Sequence, residues 1–238
     1  MAIEFENVSY HPQDVPVFGP ASFSASEKRI GIVGQNGSGK SSFARLLAGL
    51  LKPDSGSIAI DGVDVYADRK AALATIGIIF QNPDHQIIFP TVGEELAFGL
   101  QQQGMMRKRA ADKAKLVLSL HGRPDWFDKS TQTLSQGQRH FLCLLSVLAM
   151  EPKTIILDEP YAGLDIPTSI HLHAWLARLE QQIILITHDP KALTDFDRVI
   201  WLENGQIKQD GPAAATLADF TAEMTQIGER NAGADLPT

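Results

Sequence analysis

The strongest restriction on the fold of this chain comes from residues 34–41, which read Gly-Gln-Asn-Gly-Ser-Gly-Lys-Ser and fit the pattern G-x-x-x-x-G-K-[ST]. The apolar run Arg29–Val33 precedes the segment. Residues at helical spacing follow it, namely Phe43, Leu46, Leu47 and Leu50, so the pattern predicts strand, turn and helix. Glycines let the backbone curl around an anion with its N–H groups inward, and the helix start adds its positive dipole end.

The segment therefore predicts a phosphate-binding loop. Lys40 would reach the β- and γ-phosphates, and the Ser41 hydroxyl would ligate Mg²⁺. The alternative is a glycine-rich turn that binds nothing. Because residues 34–41 lie between a predicted strand and a predicted helix, we favour the phosphate-binding site over this alternative.

Two continuously apolar runs rich in β-branched residues predict further strands, at Thr154–Leu157 and Ile183–Ile186. Strands of this kind are buried on both faces, as in a parallel sheet covered by helices. The sequence therefore predicts an α/β fold.

Polar residues follow both of these strands. Asp158 and Glu159 come directly after the first, and His188 ends the second. Because open α/β sheets place ligands at the carboxyl ends of strands, these residues and Lys40 are predicted to share one site. Asp158 would hold Mg²⁺ through water, and Glu159 would orient or deprotonate the attacking water. The alternatives are two solvated carboxylates and a structural histidine.

Weaker patterns outline the rest of the chain. We predict a half-buried strand at Ile3–Tyr10, a turn at Pro53–Gly56 before a strand at Ser57–Ile60, mostly helical structure over Glu94–Met150, a hairpin over Arg198–Gln209 that turns at Asn204-Gly205, and a frayed tail over Asn231–Thr238.

Composition limits the classes of partner. A net charge of -7 argues against a nucleic-acid backbone as the main partner. The single cysteine, Cys143, fits a reducing compartment and lies in an apolar run where a small buried side chain is expected. We find no signal-peptide pattern at Met1–Glu4 and no apolar run near the roughly 18 residues that span a bilayer. We expect a cytoplasmic protein whose membrane role, if any, needs a partner.

The pentapeptide Leu134-Ser135-Gln136-Gly137-Gln138 decides between the classes of phosphate-binding protein. Ser135 and Gln138 have capping-box spacing before a helix predicted to begin near Arg139. A capped helix start beside a glycine also binds a γ-phosphate, so both readings can hold. The pentapeptide closely resembles the L-S-G-G-Q signature of ATP-binding-cassette (ABC) ATPases, and with the phosphate-binding loop, Asp158-Glu159 and His188 the resemblance covers nearly the whole chain.

This resemblance implies a P-loop NTPase cassette with a RecA-like, mainly parallel sheet core, an antiparallel β subdomain and a helical subdomain inserted at about 92–150, all within one domain over 1–230. Members of the family form head-to-tail dimers around two ATP molecules, each between the P-loop of one subunit and the signature of the other. The resemblance therefore also implies ATP and Mg²⁺ as cofactors and a homodimer or a heterodimer of ATPase subunits.

The resemblance also assigns roles to residues. It implies catalytic roles for Glu159 as general base, His188, Gln81 and Lys40, and Gly163-Leu164-Asp165 resembles the D-loop that links the two sites. The nucleotide-binding residues it implies are Tyr10, Gly34, Asn36, Gly37, Ser38, Gly39, Lys40, Ser41, Ser42, Ser135, Gly137 and Gln138. Those implied for the metal are Ser41, Gln81 and Asp158. Tyr10 would stack on adenine, or alternatively would only close the first strand.

One residue departs from the family pattern. Gln136 stands where the family has glycine, so the geometry of the signature or the rate of turnover is expected to differ.

The segment 81–99 resembles the ATPases of energy-coupling-factor (ECF) importers, which carry vitamins such as biotin, or cobalt and nickel ions. In that group the segment forms a groove for a coupling helix of the transmembrane component, and a separate membrane protein binds the cargo. Apolar Ile87, Ile88 and Phe89 fit such a docking surface, or alternatively ordinary core packing. The protein is then expected at the cytoplasmic face of the membrane, without nucleic acid as partner.

The alternatives are the ATPase of another ABC transporter type and a soluble ABC ATPase acting on ribosomes or DNA. A kinase or GTPase would not need the signature.

Overall fold

The computed structural model describes residues 1–231 of the 238-residue chain. The strands are β1 (Ile3–Tyr10), β2 (Phe18–Ala25), β3 (Arg29–Val33), β4 (Ser55–Ile60), β5 (Val63–Asp64), β6 (Ile76–Ile79), β7 (Thr154–Asp158), β8 (Gln182–Thr187), β9 (Arg198–Glu203) and β10 (Gln206–Pro212). The helices are α1 (Lys40–Leu47), α2 (Arg69–Thr75), α3 (Val92–Gln102), α4 (Arg107–Leu120), α5 (Gln136–Ala149), α6 (Ile166–Leu176) and α7 (Ala213–Asn231). Short 3₁₀ helices lie at Pro12–Asp14, Pro83–His85, Pro124–Trp126, Thr131–Thr133 and Pro190–Leu193.

A six-stranded sheet in the order β10-β9-β3-β8-β7-β6 forms the centre. The pairs β9–β3, β3–β8, β8–β7 and β7–β6 are parallel, and β10 is antiparallel to β9. On β8, Ile184 and Ile186 pack into one core while Ile183 and Leu185 pack into another. The prediction of parallel strands buried on both faces is confirmed.

The second sheet is antiparallel, in the order β2-β1-β4-β5. It covers α1 and one face of the central sheet. Phe5 and Phe18 of this antiparallel sheet and Phe43 of α1 are almost fully buried between them. The predicted first strand is confirmed as β1. Strand β2 was not predicted, because Gly19-Pro20 interrupts the alternation of apolar residues that indicates a strand.

The hairpin near the end of the chain is confirmed as β9 and β10. Asn204 and Gly205 both have positive φ, at 49° and 73°, as a type I′ turn requires. Strand β10 extends to Pro212, three residues beyond the predicted end.

Helices α3, α4 and α5 occupy the connection between neighbouring strands β6 and β7. Their facing sides form a core of their own, which includes Leu96, Leu100, Leu118 and Leu142. The helical pattern predicted here is thus confirmed, and the division of the chain into domains stays a prediction.

Two helix limits differ from the predicted ones. Helix α1 ends at Leu47 rather than Leu50, because Gly49 adopts φ of 66° and its N–H bonds back to the Leu46 carbonyl. Helix α5 begins at Gln136 rather than near Arg139, because Ser135 is the N-cap and Gln138 is already the third helical residue. Asn231 ends α7, and the rest of the predicted tail lies outside the described residues.

Across residues 1–231, no helix combines the length and the apolar character needed to cross a membrane.

Candidate functional site

The phosphate-binding loop joins β3 to α1, as predicted. Lys40 is buried, and its Nζ donates hydrogen bonds to the carbonyl oxygens of Gly34 and Gln35 at 2.8 and 2.9 Å. Burial lowers the pKa of the Lys40 ammonium, and the nearby carboxylates of Glu159 and Asp158 oppose that change. The ammonium is therefore inside the loop and faces the two acidic residues that follow β7.

The other residues of this loop differ in their exposure to solvent. Asn36 and Gly37 are exposed, Ser38 is buried, and Ser42 is half-buried on the first turn of α1. Asn36 and Gly34 share a cleft with His188. The loop and the end of β8 therefore open onto the same space.

Asp158 is the last residue of β7 and is 5% exposed. Within residues 1–231, its Oδ1 is buried without a hydrogen-bond partner. Burial raises the pKa of Asp158, and the Ser41 hydroxyl is the largest of the influences that oppose the rise. A buried carboxylate oxygen without a partner, beside a hydroxyl, is a donor set suited to a hard cation such as Mg²⁺.

Glu159 is the next residue and has its carboxylate held from two sides. The Thr187 hydroxyl donates to Oε2 at 3.1 Å, and Nδ1 of His188 donates to Oε1 at 2.9 Å. Glu159 is 9% exposed, whereas the side chain of His188 is 61% exposed. The backbone of Glu159 has φ of 50°, a strained conformation that costs about 1–3 kcal/mol and often marks a functional site.

Gln81 follows β6, which is the neighbour of β7, so it lies at the same edge of the sheet as Asp158. Its side chain is exposed. Its carbonyl oxygen lies 3.2 Å from Nε2 of the buried His140 on α5. Lys40, Asp158, Glu159, His188 and Gln81 are thus all placed at the carboxyl ends of parallel strands.

The signature residues lie elsewhere, at the N-terminus of α5. Gln138 N–H donates to the Ser135 hydroxyl at 3.3 Å, and Ser135 N–H donates to Oε1 of Gln138 at 2.9 Å, which confirms the capping box. Gly137 lies against Thr168 of α6. Within residues 1–231, no hydrogen bond joins these residues to the P-loop.

Tyr10 is the last residue of β1, and its ring packs against the core below the antiparallel sheet. Its carbonyl accepts from the N–H of Val17, and the Val17 carbonyl lies close to Gly39 of the P-loop. Tyr10 therefore closes the first strand beside the loop, and its contact with adenine stays a prediction.

Sequence reasoning missed three residues that support the site. The Thr187 hydroxyl holds the Glu159 carboxylate, and His140 contacts the backbone carbonyl of Gln81. Buried Glu95 accepts hydrogen bonds from the N–H groups of Ile88 and Phe89. Glu95 had a signal in the sequence. It lies three residues after Val92, beside the apolar positions of a helical pattern where an acid is unusual.

Comparison with known proteins agrees with this geometry. A family model described as "ABC transporter" matches residues 20–162, which include the P-loop, the signature and both acidic residues after β7. The model covers more than half of the chain.

Individual proteins are similar over almost their full length. The chain is 50% identical to a biotin transport ATP-binding protein of Rhodobacter capsulatus over 97% of this chain and 99% of that one. It is 39% identical to an energy-coupling factor transporter ATP-binding protein of Mycoplasma genitalium, over 94% and 82%. The structure of cbiO1 from Clostridium perfringens, part of the ABC transporter complex cbiONQ, superimposes with a TM-score of 0.75 at 28% identity, covering 98% and 95%.

The chain that the family model and full-length relatives match thus contains the phosphate-binding loop, the acidic pair at the end of β7 and the histidine after β8. The chain belongs to the ABC transporter family and is one of its ATP-binding, ATP-hydrolysing subunits.

Proposed function

We propose that this subunit is the ATP-hydrolysing motor of an ECF-type importer and that the importer carries biotin. One observation carries the enzymatic part: the Glu159 carboxylate, held by Thr187 and His188, lies at the same sheet edge as Lys40 and Asp158. The similarity to the Rhodobacter biotin transport protein over 97% of the chain supports the cargo.

The residues of the P-loop side bind and orient ATP. Lys40 exchanges its hydrogen bonds to the Gly34 and Gln35 carbonyls for bonds to the β- and γ-phosphates. Its buried ammonium therefore has hydrogen-bond acceptors both before and after ATP binds. Ser41 and Asp158 would hold Mg²⁺, because the Ser41 hydroxyl lies beside the Asp158 carboxylate, whose Oδ1 has no hydrogen-bond partner among the described residues. When bound, the metal ion neutralises developing charge on the phosphate oxygens.

Glu159 accepts the proton of the attacking water. Thr187 and His188 fix both of its oxygens, which keeps the carboxylate in one orientation without further ordering during the reaction. His188 is exposed and lines a cleft with Gly34 and Asn36, where it would contact the γ-phosphate. Gln81, at the same sheet edge, would sense the γ-phosphate and would be the third residue that holds the metal ion.

A second copy completes each site. Ser135, Gly137 and Gln138 are at a capped helix start that suits a phosphate, yet within this chain they make no hydrogen bond to the P-loop. A head-to-tail dimer brings the signature of one copy to the nucleotide on the other. Because one chain has both halves, a homodimer has two complete sites.

The membrane partner docks on the segment 87–90. Ile88 is 64% exposed, and Ile87, Phe89 and Pro90 line a groove with Asp84 and Arg139. Glu95 holds the N–H groups of Ile88 and Phe89 at 3.0 Å each, so the groove is preformed. We propose that a transmembrane coupling component inserts a helix here, that a separate membrane protein binds the cargo, and that the subunit is peripheral at the cytoplasmic face.

The role of Glu159 is tested by Glu159→Gln. The variant keeps the size of the side chain but cannot accept the proton, so we expect ATP binding to persist and hydrolysis to fall by about 10²- to 10⁴-fold. Single-turnover hydrolysis and equilibrium ATP binding measure the two effects. Lys40→Ala is the control, since it should lose nucleotide binding. Near-normal turnover in Glu159→Gln would remove Glu159 from the mechanism.

The transport role is tested by recovering tagged Glu159→Gln from detergent-solubilised membranes in the presence of ATP and identifying the proteins that accompany it. We expect two small helical membrane proteins, one the coupling component and one the cargo-binding component. Recovery only with ribosomal or DNA-bound proteins would refute the transport role and favour a soluble ABC ATPase.

A further inference from the structure

The side chain of Gln136 rests on the loop that follows Glu159. Its Nε2, Cδ and Oε1 are the three atoms nearest to the position that a Cβ on Gly163 would take, at 2.5, 3.3 and 3.5 Å. The planar amide of Gln136 therefore covers Gly163 directly. Gly163 itself adopts φ of 73°, a conformation that other residues rarely adopt.

We infer that Gln136 is a positioning residue that ties the first turn of α5 to the loop 160–165 of the same chain. This inference rests on the proposed function, since the loop is the one that connects the general base to α6. It also gives the departure of Gln136 from the signature pattern a physical role. A glycine at this position has no side chain with which to cover Gly163.

The loop between Glu159 and Gly163 is short and internally bonded, so a contact at Gly163 is transmitted to the base. Ala162 N–H donates to the Glu159 carbonyl at 3.1 Å, and Leu164 N–H donates to the Tyr161 carbonyl at 3.2 Å. Glu159 N–H in turn donates to the carbonyl of Ile186 on β8 at 2.8 Å. A shift at Gly163 therefore moves a turn that is anchored at Glu159.

A second contact joins the first turn of α5 to the start of α6. Gly137 lies against the methyl group of Thr168, and Asp165 caps α6 by accepting from Thr168 N–H at 2.9 Å. Gln136 also accepts at its carbonyl from Nδ1 of His140, whose Nε2 lies 3.2 Å from the Gln81 carbonyl. The first turn of α5 thus contacts the loop after Glu159, and His140 one turn further on contacts the carbonyl of Gln81.

Hydrogen exchange tests the contact without reference to catalysis. Gln136→Ala removes the amide and leaves the helix backbone intact, so the amides of residues 160–165 should exchange several-fold faster than in the wild type. Gln101→Ala, which truncates an exposed glutamine on α3, is the matched control and should leave that exchange unchanged. Unchanged exchange at 160–165 in Gln136→Ala would overturn the inference.

A double-mutant cycle tests the consequence for hydrolysis. Gly163→Ala places a methyl group against Nε2 of Gln136 and also strains the backbone, so its kcat should fall. In Gln136→Ala/Gly163→Ala the steric conflict is absent, and kcat should recover at least about twofold over Gly163→Ala while the strain remains. If the losses of the two single variants simply multiply, the inference is wrong. A wild-type protein without ATPase activity would instead refute the proposed function, and the exchange experiment would still decide the contact.

Discussion

At the scale of single residues, the site contains a buried carboxyl group, Asp158, whose Oδ1 has no hydrogen-bond partner within residues 1–231. Asp158 is 5% exposed, and burial is the largest influence on its pKa, which it raises. A raised pKa in the folded state means that the folded protein binds the proton more tightly than the unfolded chain does. Ionising Asp158 therefore costs stability, and the cost develops as the pH rises above the ordinary carboxyl pKa of about 3.9.

We accordingly predict that Asp158→Asn raises the melting temperature of the nucleotide-free protein at pH 7 and abolishes magnesium-dependent hydrolysis. The gain should shrink as the pH is lowered toward the ordinary carboxyl range, because the wild-type carboxyl then becomes protonated. Thermal melts of both proteins across this pH range measure the effect. Asp112→Asn, at an exposed carboxylate on α4, is the matched control. A lower melting temperature for Asp158→Asn at pH 7 would contradict the account.

At the scale of elements, helix α3 determines the shape of the proposed docking groove. Glu95 is 6% exposed and accepts both the Ile88 and the Phe89 N–H through the same oxygen, Oε2. Burial raises the pKa of Glu95, and these two hydrogen bonds oppose the rise. A buried side chain of α3 thus holds the backbone of a segment in which Ile88 is exposed while Ile87 and Phe89 are half-buried.

We predict that Glu95→Ala reduces recovery of the membrane component by about tenfold or more, because leaving two amide N–H groups unpaired costs roughly 1–3 kcal/mol each. Glu95→Gln should retain recovery, since one amide oxygen can accept both bonds. Glu94→Ala removes an equal charge from an exposed site beside it and serves as the control. ATPase activity of the isolated subunit shows whether each variant is folded. Equal recovery with Glu95→Ala and Glu94→Ala would refute this role.

The elements that could be predicted from the sequence are those with a strong local pattern. The strands β3, β7 and β8, the phosphate-binding loop and the Ser135 capping box have a periodicity or spacing that only one local structure satisfies. Strand β2 escaped prediction because Gly19-Pro20 breaks its pattern, although its pairing partner β1 is the strand just before it in the sequence.

Contacts between elements could not be predicted in the same way. Thr187 is 28 residues from Glu159, and the contact of Gln136 with Gly163 joins the start of a helix to a loop that no spacing rule relates to it. Each becomes visible only when the parallel sheet and the helices between β6 and β7 bring the elements together. Lys40, Asp158, Glu159 and His188 were predicted from the sequence to lie together, and their catalytic roles stay predictions. Thr187 and His140, which contact Glu159 and Gln81, were not predicted.

At the scale of the whole molecule, the proposed catalytic residues and the proposed docking residues lie in two different regions of the described chain. The central sheet gathers Lys40, Asp158, Glu159 and His188 at one edge, and α3 to α5 carry both the signature and the support of the docking groove. The first turn of α5 contacts the loops that follow β6 and β7. We propose that closure of a dimer around ATP is transmitted to the groove through α5 and that this couples hydrolysis to transport.

Biotin uptake tests this account most directly. Radiolabelled biotin entering host cells that lack this gene would be measured after complementation with the wild type or with Glu159→Gln, at equal protein levels. We predict that the wild type restores ATP-dependent uptake and that Glu159→Gln does not. Uptake that is restored equally by both proteins, or that is unaffected by loss of the gene, would contradict the claim that hydrolysis by this subunit drives biotin import.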